Sequence, residues 1–163
     1  MTTPLYIVTG TSGSGKSTAS KEVRKIMGPG FNIYDMDSII IDGNFQLTCQ
    51  NWLRIAYANS LSGNTTILFG AVPLPYNVNL CDHFHYFQPI HYLLLHCNSA
   101  SRTSRLRERG NWTEQGIQST NIYAKELYNN YVSSNLPIID TTNTPVVQVA
   151  NQIKGWLLLK QKG

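Results

Sequence analysis

A glycine-rich segment near the N-terminus has the spacing of a loop that binds phosphate. Residues 10–17 fit the pattern G-x-x-x-x-G-K-[S/T] at every position, after an apolar run and before a helical pattern. The glycines let the backbone wrap around a phosphate group and present N–H groups at the start of a helix. We therefore expect nucleotide-binding residues throughout this segment, namely Gly10, Thr11, Ser12, Gly13, Ser14, Gly15, Lys16, Ser17 and Thr18. In such a loop Lys16 reaches the β- and γ-phosphates, and the Ser17 hydroxyl binds Mg²⁺.

Two carboxylates follow the second apolar segment of the chain. Asp35 and Asp37 flank Met36, and strand alternation points both carboxylates to one side of a sheet with Met36 opposite. The third apolar segment, by contrast, ends at residues 67–70 without an acidic residue. Most motor proteins, GTPases and related ATPases place a magnesium-binding acid there, so the sequence argues against those classes.

A cluster of arginines is the third feature that suggests chemistry. It lies within eight residues and consists of Arg102, Arg105, Arg107 and Arg109. At 100° per helical residue, Arg102, Arg105 and Arg109 lie within about 60° of one another, and Arg107 points away. Planar guanidinium groups suit the charge that spreads over the oxygens of a phosphoryl group during transfer. We interpret Arg107 as surface charge.

Composition and charge limit the classes of protein that the chain can represent. It has 163 residues, 42% of them hydrophobic, which predicts one ordered domain rather than a disordered chain. Its net charge of +4 is concentrated near Lys16 and in the arginine cluster, which favours one small anion over nucleic acid or a membrane surface. Three widely spaced cysteines, Cys49, Cys81 and Cys97, predict reduced thiols in a cytoplasmic protein without a membrane span.

The order of apolar segments predicts how these residues are positioned. Short apolar runs predict five strands, at 5–9, 31–34, 65–69, 91–97 and 136–140. Helical spacing predicts five helices, at 16–27, 51–61, 99–108, 113–132 and 146–159. This alternation predicts an α/β fold, a single domain over 1–163 with a five-stranded parallel sheet and helices on both faces. Residues 70–89 show no clear period, and we expect a loop or an irregular helix there.

The phosphate loop and three further segments resemble one family over nearly the whole chain. The segments are 33–37 (IYDMD), 105–110 (RLRERG) and 139–143 (IDTTN). Together they resemble the P-loop kinases of the nucleoside and nucleoside monophosphate kinase group, which includes adenylate-kinase-like and shikimate-kinase-like members. More narrowly, the chain is similar to small bacterial ATP-binding proteins described as nucleoside kinases.

The resemblance implies roles for the residues that lie outside the phosphate loop. It implies a small helical lid over about 99–132, with Arg105 and Arg109 reaching the phosphate during transfer. It also implies that Asp37 contacts the acceptor or binds Mg²⁺ and acts as the base, with Asp35 as the alternative. Three further binding residues follow from it, namely Arg54 for an anion of the acceptor and Thr142 and Asn143 for the nucleotide base.

The sequence thus predicts a kinase that uses ATP and Mg²⁺ and phosphorylates a small acceptor. A nucleoside or nucleoside monophosphate is the leading acceptor, and a sugar acid, an antibiotic or a nucleic-acid 5′ end is the alternative. The second alternative function is that of a nucleotide-binding regulatory module with little turnover. We expect a nucleotide donor and a small acceptor as the binding partners, and neither a membrane nor nucleic acid.

Overall fold

A five-stranded parallel sheet forms the centre of the computed structural model, which describes residues 2–163. Its strands are β1 (Thr3–Thr9), β2 (Phe31–Asp35), β3 (Thr65–Phe69), β4 (Phe87–His96) and β5 (Ile138–Asp140). They pair in the order β2-β3-β1-β4-β5, and every pair is parallel. The described residues also form five α-helices, α1 (Lys16–Ile26), α2 (Phe45–Leu61), α3 (Ser99–Glu108), α4 (Glu114–Ser133) and α5 (Val146–Gln161). The predicted α/β fold is therefore confirmed.

Both faces of the sheet are buried, because apolar side chains alternate along β1 between two clusters. Tyr6 and Val8 face the side covered by α1 and α5. Leu5 and Ile7 face the side covered by α2 and the segment 72–87. Helix α4 covers β4 on this second side through Leu127 and Tyr131, which pack against Leu94. A strand buried on both faces reads as a continuous apolar run, which is why β1 could be predicted from its sequence.

The boundaries of several elements, among them α2, β4 and β5, differ from the sequence prediction. Helix α2 begins at Phe45, six residues earlier than expected, because the Asn44 side chain caps it by accepting a hydrogen bond from the Leu47 N–H. Strand β4 begins at Phe87, whose partner in the sheet is Thr3, and β5 begins only at Ile138. The segment 70–89, in which we expected a loop or an irregular helix, contains two short 3-10 helices, at Val78–Leu80 and Phe84–Tyr86, and the start of β4.

The structure also bears on the state of the cysteines, on metal binding and on membrane insertion. Cys49, Cys81 and Cys97 are buried free thiols. Within residues 2–163, the structure brings together no group of three or more His, Cys, Asp or Glu side chains that could hold a metal ion. None of the helices in this part of the chain is long and apolar enough to cross a membrane.

Candidate active site

The glycine-rich loop joins β1 to α1 and leaves the start of that helix open. Gly13 and Gly15 have φ angles of 80° and 99°, in the left-handed region that favours glycine. The loop is closed by a hydrogen bond from the Ser14 N–H to the Thr11 carbonyl (3.2 Å). Gly15 is the N-cap of α1 and supplies no side-chain cap, so the first N–H groups of the helix remain available to an anion.

Lys16 lies against this loop. Its Nζ donates hydrogen bonds to the carbonyls of Gly10 (2.6 Å) and Thr11 (2.8 Å). Burial lowers the pKa of Lys16 to about 8, although the nearby charges of Asp37 and Asp35 act in the opposite direction. The ammonium group is therefore held over the loop in surroundings where an added negative charge would favour its protonated form.

Gly10 has no room for a side chain. A Cβ built there would lie 2.6 Å from the Leu95 carbonyl and against the Ser14 side chain. We expect Gly10→Ala to lower the free energy of unfolding by about 1–3 kcal/mol, because the strand or the loop must shift. Gly28→Ala is the matched control, since a Cβ at Gly28 meets nothing within 4 Å. Urea unfolding measures both variants, and equal stabilities would contradict the close packing of the loop on β4.

The two carboxylates after β2 have different partners. Asp35 is the last residue of β2, and its Oδ2 accepts a hydrogen bond from the Ser17 hydroxyl (2.6 Å). Asp37 lies in a short 3-10 helix, Met36–Ile39, and its Oδ1 accepts a hydrogen bond from the Tyr76 hydroxyl (2.6 Å). We predicted from strand alternation that both carboxylates lie on one side of the sheet. That argument does not apply, because Asp37 lies beyond the end of β2. Met36, between them, is buried in the core.

Tyr76 positions Asp37 and was not anticipated from the sequence. It is fully buried within the segment that follows β3. Burial, followed by the hydrogen bond to Asp37, raises the pKa of the Tyr76 hydroxyl, so this group stays protonated and donates. The Trp52 indole N–H donates to the Met36 carbonyl (2.9 Å) and fixes the same turn from α2.

The Ser17 hydroxyl and the Asp35 carboxylate form the donor set that best fits a magnesium ion. Mg²⁺ prefers oxygen ligands and is commonly bound in proteins by one or two carboxylates together with phosphate oxygens. These two groups are 2.6 Å apart and lie beside the phosphate loop. Asp35 also accepts a hydrogen bond at Oδ1 from the Asp37 N–H (3.0 Å), and it is the contact with Ser17 that makes Asp35, the alternative in the sequence prediction, the better candidate ligand.

A cavity of about 460 Å³ lies beside the phosphate loop, and we call it the donor cavity. Its walls include Gly13 and Gly15 of the loop, Arg105 and Arg109 of the arginine cluster, and the start of α5. Arg105 is tied down, because it donates to the carbonyls of Gly13 (3.0 Å) and Thr141 (2.7 Å). Arg109 is exposed at the C-terminal end of α3, next to Gly110 with its φ of 75°.

The residues of the donor cavity near β5 differ slightly from those expected. Thr141 and Thr144 line it, with apolar contacts from Val146 and Val149. Thr142, expected at the nucleotide base, instead accepts a hydrogen bond at its hydroxyl from the Asn98 N–H (2.9 Å). Neither Thr142 nor Asn143 is part of the cavity wall. The side chains that face the cavity are thus the neighbours of the two predicted residues, and a nucleotide-base site in this segment stays a prediction.

Two arginines lie away from an anion site, namely Arg102, which helical spacing grouped with Arg105 and Arg109, and Arg54, which the family resemblance assigned to the acceptor. Arg102 is only 2% exposed, and it donates to the Cys97 carbonyl (2.6 Å) and to Asn121 (3.0 Å). Arg54 is exposed and pairs with Asp82 at 3.9 Å. It lies about 13 Å along α2 from the helix start and is not part of the donor cavity wall. The structure thus does not bring Arg54 to the site, and Arg102 has a structural role.

The predicted lid is mostly packed against the body of the protein. Leu106 of α3 and Ile117, Leu127 and Tyr131 of α4 are buried. The exposed part is the connection between the two helices, and Arg109 begins it. Arg107 pairs with Glu114 across this connection (2.8 Å). Movement of a lid over 99–132 remains a prediction, and four of the five residues of the connection 109–113 are exposed.

Comparison with solved structures places the chain in a known fold. The tunicamycin resistance protein of Deinococcus radiodurans superimposes with a TM-score of 0.68 at 16% identity, covering 95% of each chain. A sugar kinase from Janibacter sp. HTCC2649 gives a TM-score of 0.64 at 19% identity, covering 95% of this chain and 94% of that one. Shikimate kinase from Acinetobacter baumannii, solved with shikimate, gives 0.63 at 18% identity, covering 98% and 95%.

The fold is that of the P-loop kinases. More narrowly, the similar structures belong to the nucleoside monophosphate kinase-like group, as the sequence segments suggested. No protein-family model matches the sequence, and no curated protein matches it. The kinase fold is therefore shown by structural similarity alone, and the roles of individual residues are inferred from their contacts in this chain.

Proposed function

We propose that this chain transfers the γ-phosphoryl group of ATP to a hydroxyl group of a small acceptor, a nucleoside or a nucleoside monophosphate. The observation that carries the proposal is the hydrogen bond between Ser17 and Asp35, which places two oxygen groups suited to Mg²⁺ beside the phosphate loop. A structural glycine loop has no need of this pair. The kinase fold and the donor cavity agree with the same activity.

The residues of the loop bind and orient the donor. The loop N–H groups and Lys16 hold the β- and γ-phosphates, while the nucleoside part of ATP occupies the donor cavity between Arg105 and Val149. Ser17 and Asp35 would hold the Mg²⁺ that accompanies ATP, and this ion would offset phosphate charge. Arg105 supports the loop, and Arg109 is free to close over the transferred group.

Asp37 is the group that we assign to the acceptor. Its Oδ1 is held by Tyr76, which leaves Oδ2 free to accept the proton of the attacking hydroxyl. In the step, the acceptor oxygen forms a bond to the γ-phosphorus, the bond from that phosphorus to the β–γ bridging oxygen breaks, and ADP leaves. Exclusion of water by the connection 109–113 would limit hydrolysis of ATP.

A phosphoryl-transfer screen tests this function. The wild-type protein is incubated with ATP, Mg²⁺ and single acceptors from a panel of nucleosides, nucleoside monophosphates and other hydroxyl compounds. Mass spectrometry detects the phosphorylated acceptor, and formation of ADP is followed in parallel. We expect transfer to at least one acceptor. Failure of ATP to bind, together with no acceptor-dependent ADP, would overturn the proposed function.

Nucleotide binding should also change the protonation of Lys16. Its pKa of about 8 in the free protein means that roughly three quarters of the lysines are neutral at pH 8.5. Bound phosphates favour the charged form and raise this pKa, so binding should take up roughly 0.7 proton at pH 8.5 and much less at pH 7. Calorimetry in two buffers of different ionisation enthalpy measures the uptake.

Lys16→Arg is the control for the proton uptake, because a guanidinium stays protonated at both pH values. We expect this variant to take up no proton from position 16 at pH 8.5. An uptake equal to that of the wild type would show that another group titrates, and it would contradict the role of Lys16 as the phosphate-binding cation.

A further inference from the structure

A second cavity, of about 250 Å³, lies against the same phosphate loop, and we call it the second cavity. It contacts the loop at Thr11 and Ser12, whereas the donor cavity contacts the loop at Gly13 and Gly15. The two cavities share no lining residue. The loop therefore borders two separate cavities, so that a second molecule can bind beside the loop without entering the donor cavity.

The second cavity is connected to Asp37 through its wall. Leu74 and Pro75 form one side of it. The next residue in the chain is Tyr76, whose hydroxyl is hydrogen-bonded to Asp37. The carboxylate assigned to the acceptor is thus attached to the segment that forms this wall, which makes the second cavity the candidate seat of the acceptor.

The lining of the second cavity is hydroxylic and apolar. Ser119, Thr120 and Tyr123 project from α4, opposite Leu74 and Pro75. None of the described residues that line it carries a charge. Hydroxyl groups can donate and accept hydrogen bonds, and the leucine and proline surfaces suit an apolar body, but the wall has no cationic side chain to neutralise an anion.

The lysines and arginines of the chain either bind other protein groups or lie away from the second cavity. Of the 13 lysines and arginines, Lys16 belongs to the phosphate loop and Arg109 to the donor cavity. Seven others are bonded to protein groups, namely Arg24, Lys25, Arg54, Arg102, Arg105, Arg107 and Lys154. Lys21 is exposed on α1, Lys160 lies beside Pro4 at the start of β1, and Lys162 follows the end of α5.

Lys125 is the remaining basic residue, and it lies on the other face of α4. It is two residues beyond Tyr123, and two residues correspond to a rotation of about 200° around the helix. It lines a groove between α3 and α4 instead. None of the 13 basic residues therefore lines the second cavity, and the hydrogen bond to Tyr76 ties a negative group, Asp37, to the segment that forms its wall.

We propose that the acceptor is an uncharged hydroxyl compound with an apolar body, bound in the second cavity, and not a monophosphate or a sugar acid. The proposal rests on the proposed kinase function and narrows its substrate class. A carboxylate or phosphate on the acceptor would lose water without gaining a cation, and it would approach both Asp37 and the phosphates of ATP. A neutral nucleoside fits this chemistry, and its 5′-monophosphate does not.

Matched pairs of acceptors test the proposal. Each nucleoside is compared with its 5′-monophosphate, and each neutral sugar with the corresponding sugar acid, using wild-type protein, ATP and Mg²⁺. We expect kcat/KM to be higher for the neutral member by about 100-fold or more in every pair that reacts. Equal or faster transfer to the charged member would overturn this proposal and leave the kinase function standing. Absence of both ATP binding and transfer would instead overturn the kinase function.

A variant that adds a cation tests the location of the acceptor. Ser119 is exposed on the wall of the second cavity, so Ser119→Arg places a guanidinium there without filling the core. We expect it to shift the ratio of kcat/KM toward the charged acceptor by about tenfold or more. Gln118→Arg is the matched control, because Gln118 is also exposed but lines the groove on the other face of α4. An equal shift in both variants, or no shift in either, would overturn the assignment of the cavity.

Discussion

Replacement of Lys16 by alanine is expected to lower the rate of phosphoryl transfer by at least about a thousandfold while the chain remains folded. Catalysis of this transfer consists mainly of positioning and charge stabilisation, and Lys16 is the cation that the loop holds in place. The fold should tolerate the change, because a lysine whose pKa is lowered by burial carries an unfavourable charge in the free protein below about pH 8. Initial rates and thermal unfolding measure the two effects.

Lys125→Ala is the control for this experiment. It removes the same charge from the chain, but from the face of α4 that points away from the second cavity. Its rate should stay within about twofold of the wild type, as expected for an exposed substitution away from the site. Transfer by Lys16→Ala at the wild-type rate would remove the central residue from the proposed mechanism.

The phosphate loop was predictable because its chemistry is local. All of its functional groups lie within residues 10–18, and the apolar run before it and the helical pattern after it give the context. The sheet was predictable for a related reason, since strands buried on both faces are continuous apolar runs. The start of α2 was missed because the capping Asn44 is followed by alternating polar residues, which hide the helical period.

The partners of the two carboxylates could not be predicted from spacing. Ser17 reaches Asp35 across 18 positions of sequence, and Tyr76 reaches Asp37 across 39 positions. Residues 70–89 carry three prolines and no period, so nothing in the sequence marked Tyr76. The contacts of the arginines could not be predicted from spacing either. Helical spacing placed Arg102 and Arg105 on one face correctly, but only the folded chain shows that Arg102 on this face is buried beneath the loop.

Asp37→Asn is expected to lower kcat by about 10² to 10⁴ while the affinity for ATP changes by less than about threefold. The amide cannot accept the proton of the attacking hydroxyl, and general-base catalysis contributes a factor of this size. ATP binding should persist, because Lys16, Ser17 and Asp35 are untouched. Tyr76 can still donate to the amide oxygen, so the turn keeps its shape. Single-turnover rates and nucleotide titrations measure the two quantities.

Asp35→Asn separates the roles of the two carboxylates. This variant weakens the pair that Ser17 and Asp35 form, so we expect it to need a higher Mg²⁺ concentration and to recover activity as Mg²⁺ is raised. Added Mg²⁺ should not restore Asp37→Asn, because its lost group moves a proton and holds no metal. The opposite pattern, with Asp37→Asn rescued and Asp35→Asn not, would exchange the two assignments. It would also mean that the hydrogen bond between Ser17 and Asp35 does not mark the metal site.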